Sequence, residues 1–155
     1  MIILGDITVK KFAFALDKVL EFKRQYENGI RNEHAAIMHE IKIQEEAFRE
    51  LSDKDVEIRL QMKQEQEIGC QILRIHTYEN YLEYLKGEMF RVTQRIKALK
   101  VKEEKKRKEL IAAKTDTTSL DKLKEKKLEE YNKEVQKEQE QLVEEFVNHG
   151  LIIAR

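Results

Sequence analysis

YENYLEYLKGEMFRVTQRIKAL, residues 78–99, sets Tyr78, Leu82, Leu85, Met89, Val92, Ile96 and Leu99 at alternating gaps of four and three. Each of these seven positions is apolar. That spacing is the a/d pattern of a heptad, which puts one apolar stripe on a helix and demands a partner helix to bury it. The same spacing runs on through Glu103, Lys106, Leu110, Ala113, Thr117 and Leu120 with less apolar residues. Leu128, Tyr131, Val135 and Leu142 then carry a shifted register. One helix is expected over residues 72–148. A local irregularity is expected at residues 115–119, Thr-Asp-Thr-Thr-Ser, where helix propensity is low. His149-Gly150 reads as its C-terminal stop.

The partner stripe lies upstream. Ile30, His34, Ile37, Ile41, Gln44, Phe48, Leu51, Asp55, Ile58 and Met62 follow the same alternation, and seven of the ten are apolar. Phe12, Leu16, Val19, Lys23 and Tyr26 extend it toward the N-terminus. Tyr26, Ile30 and His34 are spaced four and four, a stutter that should locally unwind a supercoil. A first helix is expected over residues 8–64, with a turn at residues 65–71 that contains Gly69. A rival turn at Ser52-Asp53-Lys54-Asp55 is disfavoured, because the seam passes through Leu51, Asp55 and Ile58 without losing phase. The reading is all-α: one coiled-coil domain over residues 1–155, an antiparallel two-helix hairpin. Phe12 should fall opposite Glu125, and the second helix should overhang the first. Burying a seam residue contributes about 1.5–3 kcal/mol, against about 0.3–0.5 kcal/mol for a helix ion pair, so the oily stripe sets the register.

Composition agrees. The 155 residues include 30 Lys plus Arg, 30 Asp plus Glu, and no Pro or Trp. About 5% Pro is usual, and its absence removes the ordinary means of breaking long helix. A net charge of zero argues against a general polyanion-binding role, because phosphate affinity needs excess cation. The basic run Lys105-Lys106-Arg107-Lys108 lacks the interleaved aromatics of a nucleic-acid binder. Apolar runs such as residues 1–4 fall far short of the ~20 residues of a membrane span, and no secretory signal is visible. The lone Cys70 forms no intrachain disulfide, which suits a reducing cytosol.

Catalytic signatures are missing: no Gly-rich phosphate loop, no CxxC, no HExxH, no nucleophile elbow. His34, His39, His76 and His149 are scattered, and His34 and His39, five apart, fall on different helix faces. No metal or cofactor is expected. A two-helix hairpin offers carboxylates no pocket in which to tune their pKa, so the chain reads as a non-enzyme.

Binding is the remaining class. Residues 100–127 hold eleven basic and six acidic residues, whereas residues 128–147 hold two and seven. The Lys-rich part of the second helix and the N-terminal segment together give an electrostatic contact surface: Lys10, Lys11, Lys18, Lys122, Lys124, Lys126 and Lys127. Near the turn, Tyr78 is on the seam and Tyr81 and Tyr84 flank it. Tyrosine is enriched at interface hot spots.

Several stretches resemble a known family. Phe12-Ala13-Phe14-Ala15-Leu16-Asp17-Lys18-Val19-Leu20 resembles the N-terminal F-x-F-x-L-x-x-V-L signature of the bacterial flagellar export protein FliJ family. Tyr78-Glu79-Asn80-Tyr81-Leu82-Glu83-Tyr84-Leu85-Lys86 resembles the opening of that family's second helix. Residues 120–131, LDKLKEKKLEEY, resemble its C-terminal stretch, followed by an acidic, Gln-rich tail. Residues 1–5 and the apolar 151–154 depart from the pattern. The resemblance implies an antiparallel coiled coil similar to the central stalk of rotary ATPases. It implies a component of the flagellar type III export apparatus, cytoplasmic and peripheral to the inner membrane. Its implied partners are the hexameric export ATPase, the export gate membrane protein and export chaperones, with no nucleic acid and no membrane insertion. The lysines above would face the ATPase. Leu51, Ile58, Tyr81, Tyr84 and Leu85 would face the export gate. The competing readings are a stalk or scaffold coiled coil of another ATPase or of an injectisome, and a homodimeric adaptor.

Overall fold

The computed structural model describes residues 11–153, and side chains for residues 11–148. It is an all-α hairpin: α1 (Asp17–Ile68) and α2 (Ile72–Ile153), with no strand among the described residues. Gly69, Cys70 and Gln71 connect them. Gly69 has φ +94°, a left-handed conformation that L side chains rarely adopt, and its N–H donates to Glu65 O at 3.1 Å. That is the αL cap that ends helices at glycine. The Gln71 carbonyl accepts from Arg74 N at 2.9 Å and opens α2. Helix α1 runs unbroken through Ser52 and Asp55, so the disfavoured turn does not form.

The buried and half-buried series of α2 follows the heptad reading closely: Leu82, Leu85 and Leu99 are buried, and Met89, Val92 and Ile96 are half-buried between them. Ala113 and Thr117 continue the buried series. Three expectations for α2 need correction. No irregularity interrupts it at residues 115–119. There Thr117 Oγ1 donates to Ala113 O at 3.1 Å and Ser119 Oγ to Thr115 O at 2.8 Å, so the hydroxyls that disfavour helix bond back into it. Nor does α2 stop at His149-Gly150, because a helical glycine costs only about 1 kcal/mol against alanine and α2 continues to Ile153. Finally, Leu128 is exposed, and the half-buried positions are instead Lys124, Tyr131, Val135 and Leu142.

Helix α1 begins at Asp17, not near residue 8. In a helix, Phe12 and Phe14 would project ~200° apart and only one would reach α2. Outside it, both do. The stutter at Tyr26 is absent too. Leu20, Glu27, Ile30 and Ile41 are buried, with Lys23, His34 and Ile37 half-buried, so gaps of three and four alternate throughout. A continuous helix transmits the phase set by Ile30, Ile37 and Ile41, and counting back in heptads lands on Glu27 and Leu20. Leu16, Val19 and Tyr26, expected in the seam, are exposed.

Contacts divide the chain into two units, Asn28–Ala112 and the remainder, Met1–Glu27 with Ala113–Arg155. Within Asn28–Ala112 the helices are antiparallel. Glu45 Oε1 lies 3.2 Å from Lys100 Nζ, and Glu33 Oε2 lies 2.8 Å from Lys106 Nζ. His34 Nε2 lies 2.8 Å from Glu103 Oε1 between the helices. Lys106 also reaches Glu109 Oε2 at 2.6 Å. Those two carboxylates raise its pKa, and Lys106 in turn lowers that of Glu109.

The other unit is antiparallel as well. Lys23 Nζ lies 2.7 Å from Asp116 Oδ2, and Lys124 Nζ lies 2.6 Å from Asp17 Oδ1. Phe12 packs on Tyr131 with ring centroids 5.6 Å apart, six residues beyond its expected neighbour Glu125. The non-helical segment before Asp17 advances farther per residue than the 1.5 Å of a helix, which accounts for the offset.

Candidate partner interface

The terminal unit holds the lysines that the sequence marks as a contact surface. Asp17 closes the first turn of α1, where its carboxylate meets the helix dipole and the Lys124 ammonium. Lys124 Nζ also lies 5.9 Å from the centroid of the buried Phe14 ring, in range of a cation–π contact. Lys127 pairs with Glu130 at 2.7 Å, which raises the lysine pKa and lowers that of the glutamate. These two lysines are therefore committed to the fold or to a neighbour. Lys11, Lys18, Lys122 and Lys126 are exposed, and no ion pair is found for them among the described residues. Lys10 lies outside the described residues. Beside these cations, Phe12, Leu16, Leu123 and Tyr131 line an open groove of about 600 Å³.

The unit at the turn carries the aromatics. Tyr81 and Tyr84, three apart and so on one helix face, stack with centroids 6.1 Å apart, and both are exposed. Leu85 is 1% exposed and belongs to the seam, and Leu51 and Ile58 are half-buried in it. At 1% exposure Leu85 offers no surface to a partner, whereas Leu51 and Ile58 keep part of theirs. Tyr78 is tied into the connection: its hydroxyl donates to Glu65 Oε1 at 2.9 Å, while Arg74 Nε sits 2.7 Å from Glu65 Oε2. Bonding to that carboxylate raises the phenol pKa of Tyr78, because ionising it would place two anions side by side.

Apolar pattern reading missed Glu27 and Phe14 as buried positions and Phe22 as an exposed one. Glu27 is acidic, so no hydrophobicity count selects it. The signal that finds it is phase alone, three residues back from Ile30. Among the described residues no group of His, Cys, Asp and Glu is arranged to hold a metal ion, and no helix is long and apolar enough to cross a membrane.

Comparison with curated proteins and with solved structures gave no match. The model of the flagellar FliJ protein family matches residues 12–152, from the Phe12 that packs on Tyr131 through the acidic end of α2. With nearly the whole chain covered, this protein belongs to the FliJ family of components associated with flagellar protein export.

Proposed function

We propose that this chain acts at the cytoplasmic face of the flagellar type III export apparatus as a helical insert of the hexameric export ATPase. In this reading it promotes ring assembly and ATP hydrolysis, contacts the export gate, and assists recycling of export chaperones. The observation that carries the proposal is the family match across residues 12–152. The exposed lysines Lys18, Lys122 and Lys126 give it a physical form. Two helices side by side are asymmetric in cross-section, so six equivalent ring subunits meet different residues at any moment, and the insert biases their states unequally. Long-range attraction between these cations and an acidic ring lining speeds and orients docking. Tyr81 and Tyr84, with the half-buried Leu51 and Ile58, serve as the export-gate contact, while Leu85 belongs to the seam.

The test mixes the protein with the flagellar export ATPase and follows ring assembly and ATP hydrolysis. The expected result is stimulation by the native chain. Joint reversal of Lys18, Lys122 and Lys126 to Glu should remove most of it. An ATPase rate indifferent to the reversed protein would argue against the lysine placement, and the absence of any stimulation would argue against the reading itself.

A further inference from the structure

The residues expected in the N-terminal seam and found exposed form a second apolar stripe. Val19, Phe22 and Tyr26 recur at gaps of three and four along α1 and are 44%, 64% and 53% exposed. At 100° per residue they lie ~90° around the helix from Leu20, Glu27 and Ile30, which face α2. Leu16 and Leu123, both exposed, join this stripe to the groove beside Phe12 and Tyr131. Lys18 and Lys126 stand on its rims, both exposed. A stripe of heptad spacing with basic rims is shaped for an amphipathic helix with acidic flanks.

The same unit contains such a helix. In the last turns of α2, Val143, Phe146 and Val147 are 63%, 75% and 56% exposed and share one side. Glu140 and Glu144 border them, within a segment of seven acidic and two basic residues. The pairs Lys124–Asp17 and Lys23–Asp116 fix both features to the same hairpin, and the α2 end runs away from the α1 stripe. A chain therefore cannot lay its own α2 end on its own stripe without unfolding.

We infer that two copies of this chain associate about a two-fold axis, each laying the acidic end of α2 on the apolar stripe of the other's α1. The contact is isologous, so the same eight large apolar side chains are used twice. It covers on the order of 1,200 Å² in total, the lower end of the range for stable dimers. This inference stands apart from the export reading and does not depend on the ATPase.

The test uses the full chain. Sedimentation velocity from about 1 to 100 μM, the range of weak to moderate self-association, should show a monomer passing to a dimer. Phe22→Glu and, separately, Phe146→Glu should each weaken the dimer at least about tenfold while circular dichroism stays unchanged. Both side chains are largely exposed, so the hairpin survives either change. With Cys70→Ser throughout, one copy carrying Phe22→Cys and another carrying Phe146→Cys should form a mixed disulfide on oxidation, a bond that one chain alone cannot make. Three results would overturn the inference: a monomer across the whole range, a dimer indifferent to both substitutions, or cross-links confined to like pairs.

Discussion

Leu85 and Tyr84 are adjacent in the chain and opposite in role. Leu85 is 1% exposed and Tyr84 is 55% exposed. Leu85→Ala should cost about 2–5 kcal/mol, since the seam cannot close around the lost atoms. Tyr84→Ala should change stability by less than about 0.5 kcal/mol. Urea unfolding followed by circular dichroism separates the two. At the turn, Gly69→Ala forces a Cβ into the left-handed region, which should cost about 1–2 kcal/mol. Nothing lies within 4 Å of where that Cβ would stand, so the loss is conformational and not steric. A midpoint equal to that of the native chain would show that the turn relaxes into another geometry. Legibility at this scale followed hydrophobicity. Leu82, Leu85, Ile41 and Leu99 announce themselves by side chain. Glu27 is buried only because of where the phase falls, so reading apolar letters chose Tyr26 in its place.

At the scale of the helices, the seam between the turn and Ala113 was legible because dense apolar heptads leave one register. A one-residue slip there would expose Leu82, Leu85 and Leu99 together. The N-terminal start was not legible, because α1 carries two apolar stripes before Ile30 and sequence periodicity alone does not say which one meets α2. The Thr-rich stretch misled for a different reason: intrinsic propensity counts against it, but back-bonded hydroxyls and seam packing override propensity. Ion pairs decorate both helices, and the exposed ones add a small, acid-sensitive contribution to stability. Arg107 holds the Glu104 carboxyl below its usual range, as Lys106 does for Glu109 and Lys127 for Glu130. A carboxyl whose pKa is lowered on folding stabilises above its unfolded value, near 4.5, and that contribution is lost as pH falls through the folded value. Thermal melting followed at 222 nm should therefore hold level from neutral pH down to about 5 and decline below about 4.5. A melting temperature that rose on acidification past that point would contradict the assignment.

For the molecule as a whole, zero net charge and the absence of proline pointed to a helical binding protein, and the FliJ family match agrees with that direction. What composition could not give is how charge is distributed over committed and uncommitted groups. Of the lysines read from the sequence, Lys124 and Lys127 already hold carboxylates, which leaves Lys11, Lys18, Lys122 and Lys126, among the described residues, as the ones to steer a partner. If they do, stimulation of the ATPase should weaken as ionic strength rises, because exposed charges are screened over about 8 Å at 0.15 M salt. A response flat from about 50 to 500 mM salt would assign the contact to apolar side chains instead.

Only Gly69, Cys70 and Gln71 separate the two helices. Pairing the helix ends across so short a link carries almost no loop-closure entropy, whereas joining Phe12 to Tyr131 directly would require closing more than a hundred residues at once. Assembly should accordingly nucleate at Glu65, Arg74 and Tyr78 and proceed like a zip fastener toward Asp17 and Lys124, each step closing only a small further loop. Unfastening runs the other way. Amide hydrogens near Leu20 should exchange sooner than those near Leu82, which makes the end of the hairpin far from its link the part that yields first.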